Sequence, residues 1–328
     1  DLLARAASSY GGGAAVWLDF TDTVGPTLLD EALAALPSDA TRARALCLAQ
    51  RSMWHILDPD AAEHLRLSLE ALRLAEQSGD VDACHLALDY ARHAYTNVGD
   101  LDGVLEVAAR MAALGEELDH LPSRSLGLWG EMVGRFLGND LDTARALVDE
   151  MLAMDRRRLP LSHWWGRVTA QSNLAILEGR WDDVVLPTPA EIAATGSTGA
   201  TIAGDHLLRR HVGRGEAADA AAIARGLITD HPDQLVAWPF GAWIAWMEGD
   251  GEAARERLRH WHREMFALVP AGFRSHAVAM ATPIVVDHRL VDVAADLAAE
   301  LRPIRGQWAS ASAEIADRLA DHCLGALE

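Results

Sequence analysis

The chain has no lysine. All 29 of its basic residues are arginine. A Schiff-base lysine, a PLP lysine and the lysine of a phosphate-binding P-loop are therefore excluded. Cysteine is scarce: Cys47, Cys84 and Cys323 lie far apart, without a CxxC. That excludes a disulfide framework or a zinc ribbon and fits a reducing, cytoplasmic setting. No run of about 18 apolar residues is present, as a membrane-spanning helix would need. No basic stretch followed by an apolar one opens the chain, as it would in a secretory leader. Positive charge is in deficit: 48 acids against 29 bases leave −19 at pH 7. Such a balance argues against a grip on a phosphate backbone. Strand signals are few; Ala14–Leu18, after Gly11–Gly13, reads as a short strand or as an extended lead-in. The chain starts at Asp1 rather than at Met, so the expectation is a piece of something longer.

What is present is helix. Half of the 328 residues are hydrophobic and 23% are charged, a folded composition whose length alone would suggest about two domains. In Ala61–Ser78 the residues Leu65, Leu69 and Leu72 follow i, i+4, i+7 spacing, with Glu63, Arg66, Glu70 and Arg73 largely off that stripe. Gly79-Asp80 ends this segment; Val81–Val98 repeats the pattern and Gly99-Asp100 ends it in turn. Most prolines fall at helix edges, but Pro239 and Pro283 sit near or inside apolar helical runs, where they start or kink a helix. Leu186–Gly199, with two prolines and a Gly-Ser-Thr-Gly tail, reads as a flexible loop.

The turns recur. Taking Leu101, Leu141, Trp181, Gly215 and Gly251 as anchors, the intervals are 40, 40, 34 and 36 residues. Gly99, Asn139, Gly179, Gly213 and Gly249 stand two residues before the anchors. Val104, Ala144, Val184, Ala218 and Ala254 stand three residues after them. A period near 34 residues, two helices per unit and a Gly-acid turn followed by a small residue resemble the tetratricopeptide repeat. That resemblance implies an all-α, right-handed superhelical solenoid of about seven helix-turn-helix units, because a single hairpin cannot bury its own apolar face. The array is expected over 25–328, after a lead-in at 1–24, with a bend at 186–199 and a capping helix at about 311–327.

Two stretches carry a wider resemblance. Thr27–Ala45 (TLLDEALAALPSDATRARA) and Leu65–Asp82 (LRLSLEALRLAEQSGDVD) resemble the helical-repeat region of bacterial LuxR-type ATP-binding transcriptional regulators. Relatives of that family carry adenylate cyclase or SARP output domains. The resemblance implies a non-catalytic regulatory region in a bacterial cytoplasmic regulator. An ATPase module would precede it and an output domain would follow. Its partners would be those domains or a small inducer, with no direct nucleic acid and no membrane. A purely structural scaffold that mediates self-association or intramolecular domain packing is the alternative reading. No cofactor is expected.

Catalytic and metal motifs are weak. His260-Trp261-His262 places its imidazoles about 200° apart on a helix, too far to share an ion. Asp287-His288 and Asp321-His322-Cys323 likewise spread over different helix faces, and no HExxH is present, so no metal is expected. Ser197 lacks a GxSxG elbow. Arg156-Arg157-Arg158 suits the negative end of the preceding helix or an acidic partner. Eleven of nineteen aromatics are Trp; Trp238, Trp243, Trp246 and Trp261 cluster in sequence, as core or as an aromatic wall for a sugar, macrolide-like or peptide ligand. In the repeat register of the tetratricopeptide family, the groove-facing residues would be Asp89, His93, Asn97, Trp129, Asn173, Arg210, His211, Trp243 and Trp246. The same register brings Thr96, Val133, Phe136, Leu137, Thr169, Ile176, Leu177, Ala203, Leu207, Pro239 and Met247 to the groove beside them.

Overall fold

A computed structural model describes residues 24–154, 156–159, 161–230, 239–311 and 315–328. The lead-in at 1–23, with Ala14–Leu18, and Trp238 lie outside the described residues. The fold is all-α apart from one two-stranded sheet: fifteen α-helices are present among the described residues. In order they are α1 (Val24–Ala35), α2 (Thr41–Met53), α3 (Ala62–Ser78), α4 (Val81–Val98), α5 (Leu101–Glu117), α6 (Leu121–Leu137), α7 (Leu141–Ala153), α8 (Leu161–Leu177), α9 (Pro189–Gly213), α10 (Ala217–Asp230), α11 (Phe240–Met247), α12 (Gly251–Glu264), α13 (Ala271–His288), α14 (Val291–Leu301) and α15 (Ala320–Leu327). The strands β1 (Trp308–Ala311) and β2 (Ile315–Leu319) pair antiparallel just before α15.

One junction chemistry joins most helices. Gly99, Asp119, Asn139, Gly179, Gly215, Gly249 and Arg289 all adopt left-handed φ, between 50° and 80°. After each, the next N–H donates to the carbonyl five residues back, as in Asp100→Tyr95, Asp140→Arg135, Glu216→His211 and Leu290→Val285, at 2.8–3.0 Å. This bond uses up a carbonyl that the helix end would leave without a partner. An acid directly follows Gly99, Asn139, Gly215 and Gly249, as it follows Gly79, and starts the next helix. The side chains of Asp80, Asp100, Asp140 and Asp250 accept from the N–H groups of Ala83, Gly103, Thr143 and Ala253 at 2.9–3.2 Å. Each is an N-cap, a directed hydrogen bond as well as a favourable charge at the helix dipole.

Four expectations need correction. The left-handed residue of the fourth turn is Gly215, not Gly213, which is the last residue of α9. The left-handed positions from Gly99 through Asn139, Gly179, Gly215 and Gly249 to Arg289 are thus spaced 40, 40, 36, 34 and 40. The third unit has no second α-helix: Gly179 is followed by the single 3₁₀ turn Trp181–Asp183 and then by extended chain. Pro189–Gly213 is a 25-residue helix, so most of Leu186–Gly199 is helical rather than loop; Pro189 takes the first helical position, where a missing N–H loses no bond. The C-terminal segment from 311 is strand and hairpin before it is helix, because α15 starts only at Ala320.

The chain divides into two compact units: Asp1–Gly134 with Ala146–Trp165, and Arg135–Arg145 with Gly166–Glu328. In the first, α2 to α5 pack in sequence and α2 also reaches α4. Their core comprises small and aliphatic side chains such as Ala45, Leu48, Met53, Ala71, Leu72, Ala87 and Met111. Gly127, Gly130 and Gly134 lie along α6 where a Cβ would come within 2.6–2.9 Å of Ala112, Ala108 and Leu105, so α6 can lie against α5 only because these positions are bare. In the second unit α13 is the hub. It packs on α11, α12, α14, α15 and both strands, and nine of its residues, His276 to Val285, are buried. Pro283 falls inside it, as the sequence suggested. On α12 only Ala254, Leu258 and Trp261 are buried, at i, i+4, i+7. Full burial of a Leu there contributes roughly 2–3 kcal/mol before entropy is counted.

Arginine links neighbouring helical hairpins on the surface. Arg110–Glu76, Arg145–Glu178, Arg214–Asp182 and Arg259–Asp292 pair over separations of 32 to 34 residues, one repeat apart. Exposed pairs of this kind stabilise little individually.

Candidate ligand-binding site

The second unit contains a cavity of ≈ 240 Å³. Three helices each offer it one stripe. From α9 come Asp205, Leu208, Arg209, Val212 and Gly213; from α11, Trp243 and Trp246; from α13, His276, Met280 and Pro283. Those spacings of three, four and seven place each set on one helix face. Ile176 and Leu177 from the end of α8, Trp181 from the 3₁₀ turn, Trp308 from β1 and Arg318 from β2 complete the wall.

The aromatic rings are fixed in place. A Cβ on Gly213 would lie 2.3 Å from the Trp181 indole, so the bare backbone at the end of α9 is the seat of that ring. Trp246 Nε1 donates to Asp287 Oδ2 at 2.8 Å, and Trp308 Nε1 donates to Asn139 Oδ1 at 3.0 Å. Trp243 is 6% exposed and belongs to the core cluster behind the cavity. With their N–H groups tied to Asp287 and Asn139, Trp246 and Trp308 present apolar ring surface.

The polar groups form a chain. Asp205 is 2% exposed and His276 1%. Arg209 Nε donates to Asp205 Oδ2 at 2.5 Å, and Arg209 Nη2 lies 3.0 Å from His276 Nδ1. Arg209 Nη2 also lies 3.3 Å from His276 Nε2; a guanidinium only donates, so the ring nitrogen that accepts from it is an unprotonated one. Asp205 and His276 between them hold the guanidinium plane in one orientation.

Of the residues expected in a groove, Trp243 and Trp246 line this cavity, with Ile176 and Leu177. Arg210 and His211 do not. The two-residue error at Gly213 rotated the fourth unit by about 200°; counted from Ala217 instead, the same positions are Asp205, Arg209, Val212 and Gly213, all in the wall. The signal was in the sequence: at Gly99-Asp100, Asn139-Asp140 and Gly249-Asp250 the left-handed residue directly precedes the acid, which selects Gly215-Glu216. His276, Trp308 and Arg318 were missed, and only the tertiary fold brings them here. Asn173 is buried, 2% exposed, outside the cavity lining. Trp261 is core, its ring 5.1 Å from that of Phe266.

Asp89, His93 and Asn97 belong to the first unit, as does Trp129, which is 5% exposed. Instead of facing an open groove they are covered. Arg92 Nη2 donates to Asp89 Oδ1 at 2.8 Å and lies 2.8 Å from His93 Nε2. Asn97 Nδ2 reaches the Ile56 carbonyl and lies 3.2 Å from His64 Nδ1. Burial pushes the pKa of His64 down to about 4, and burial, with Arg92 beside it, pushes that of His93 down to about 3. Burial alone would raise Asp89, but Arg92 and His93 hold its carboxyl below the usual range.

Other candidates resolve locally. His262 Nε2 lies 3.2 Å from Asp296 and its ring stacks on Phe266, while His260 is exposed. Arg157 and Arg158 are exposed on a short 3₁₀ turn. The side chain of Ser197 is outside the described residues; its backbone is helical. His211, Glu216 and Asp219 bring three potential ligand atoms within 4.8 Å of one another, but the 2.6 Å bond from His211 Nδ1 to Glu216 already accounts for that closeness. No family model matches the chain, and no curated protein matches it significantly.

Proposed function

We propose that this chain is a non-catalytic regulatory region, a right-handed solenoid of tetratricopeptide-like hairpins whose second unit senses a small ligand. The carrying observation is the cavity walled by Trp181, Trp243, Trp246 and Trp308 around the Asp205–Arg209–His276 chain. Immobilised rings and a held guanidinium suit binding, since their geometry is set before a ligand arrives. The recurring left-handed turns and the arginine pairs one repeat apart support the solenoid. Thr27–Ala45 and Leu65–Asp82 support a place in a bacterial ATP-dependent, LuxR-type regulator, where occupancy would bias the parent between off and on states. Under that reading, the coding sequence upstream of Asp1 carries a GxxxxGK[ST] motif, and its absence removes the parent assignment.

Binding by the 328-residue chain is the test. A ligand for the cavity changes Trp emission, and Trp246→Ala lowers affinity by about tenfold, near 1.4 kcal/mol, with an unchanged helical circular dichroism spectrum. A self-association scaffold is the competing account. Sedimentation that shows a concentration-dependent oligomer, together with Trp emission indifferent to every ligand tried, would favour that account instead.

A further inference from the structure

We infer that the cavity takes an uncharged, planar compound: one aromatic ring with a short substituent, or two fused rings. This inference rests on reading the cavity as a ligand site. Size sets the first limit. An apolar cavity of about 150 Å³ admits benzene. The volume here, ≈ 240 Å³, admits somewhat more but falls below the roughly 300–1,000 Å³ of drug-sized pockets. A macrolide or a folded peptide is too large.

Surface chemistry sets the second. Ten of the fifteen lining residues are apolar or aromatic, and four of those ten are Trp. A sugar would bring a ring of hydroxyls, each needing a partner. The donors of the wall are already engaged. Trp246 and Trp308 give their indole N–H groups to Asp287 and Asn139, and Arg209 donates to Asp205 and His276. A flat aromatic ring asks for no such partner. Against indole surface it gains more than its buried area alone provides.

Charge sets the third. Arg209 and Arg318 belong to the wall, as does the carboxylate of Asp205, and the carboxylate of Asp287 stands behind Trp246. His276 accepts from Arg209 and is therefore neutral. Two positive and two negative groups leave no formal excess. Arg209 forms its ion pair with Asp205 at 2.5 Å, and Arg318 has a partner of its own. A charged ligand would give up hydration here and meet no uncompensated charge of opposite sign. A cage of indoles alone favours a cation, but the guanidiniums in this wall set like charge beside it. A neutral ring loses little hydration on entry and so fits the balanced wall best.

The test uses the whole chain and probes matched in size but not in charge or shape. Phenylacetamide and 2-phenylethanol are titrated beside phenylacetate, phenethylammonium and the non-planar 2-cyclohexylethanol, by calorimetry and Trp emission. The amide and the phenyl alcohol are expected to bind at least fivefold more tightly than the other three. Asp287→Asn keeps an oxygen for the Trp246 N–H but removes one negative charge at an exposed position. It is expected to raise affinity for phenylacetate about threefold relative to 2-phenylethanol, and an unchanged ratio would overturn the charge argument. Phenylacetate or phenethylammonium binding as tightly as phenylacetamide would overturn the neutral assignment while leaving the ligand site standing. Equal binding of 2-cyclohexylethanol and 2-phenylethanol would do the same for planarity. No response to any probe would overturn both the inference and the ligand site.

Discussion

At the scale of single residues, Gly213 and the two buried histidines carry the most testable consequences. Alanine at 213 would put a methyl group 2.3 Å from the Trp181 ring. The indole must then leave its seat in the cavity wall. Gly213→Ala is therefore expected to weaken binding of any cavity ligand by tenfold or more, although Ala is the better helix former by about 1 kcal/mol. Unchanged affinity would show that Trp181 is not part of the site. In the first unit, His64 is fully buried and neutral in the fold, with its pKa near 4 against 6.5 when exposed. Between those values the unfolded chain binds a proton that the folded chain refuses, so stability falls with acidification. The loss for His64 is on the order of 3 kcal/mol between pH 6.5 and 4, and His93 adds to it in the same direction. Thermal melts over that range should show a steep drop that His64→Gln reduces. A melting temperature flat from pH 6.5 to 4 would contradict the burial of these imidazoles. Neither effect was legible in the sequence. Asp89, His93 and Asn97 share a helix stripe, which suggested a groove, but only α2 and α3 packing over them decides that the stripe is covered.

At the scale of elements, the junctions define the fold. Asp100→Ala removes an N-cap bond to Gly103 and is expected to destabilise the chain by about 1 kcal/mol, measurable in urea unfolding. Arg289 holds a left-handed φ of 52° without being glycine. Arg289→Gly is expected to raise stability by roughly 0.5–1 kcal/mol by relieving that conformation; a loss of stability would mean that the arginine side chain contributes more than the turn strains. Junction chemistry is local, and that is why much of it could be read directly. Gly79, Gly99 and Gly249, each followed by an Asp, announce a left-handed helix end and the next cap within two residues. Arg289 was invisible because arginine rarely takes that backbone, and Asp119 because, although Asp tolerates it, His120 rather than an acid follows. Leu186–Gly199 was misread because two prolines and small residues signal a break. Yet Pro189 sits at the one helical position that tolerates it, and α9 continues through the Gly-Ser-Thr-Gly tail.

At the scale of the whole molecule, the sequence yields helices and their repeat but not the site. Periodicity identifies the helices, whose stripes recur every few residues. The cavity draws on residues from Ile176 to Arg318; of its polar groups, His276 lies on α13 away from the positions the repeat register selects, and Arg318 comes from a strand for which the repeat pattern has no position. The absence of lysine has a physical counterpart here: every cationic side chain is a planar fork, suited to the pairing that Arg209 makes with Asp205 and that other arginines make one repeat apart. The central claim is that Trp181, Trp243, Trp246 and Trp308 surround a ligand in the second unit. The direct measurement is fluorine NMR of the chain labelled with 5-fluorotryptophan, its eleven Trp signals assigned by Trp→Phe substitution and followed as a set of small aromatic acids, amides and amines is added. The account predicts that the signals of those four tryptophans move together with one affinity while Trp129 and Trp261 stay still. Movement centred on Trp129, or no movement among the four, would contradict it.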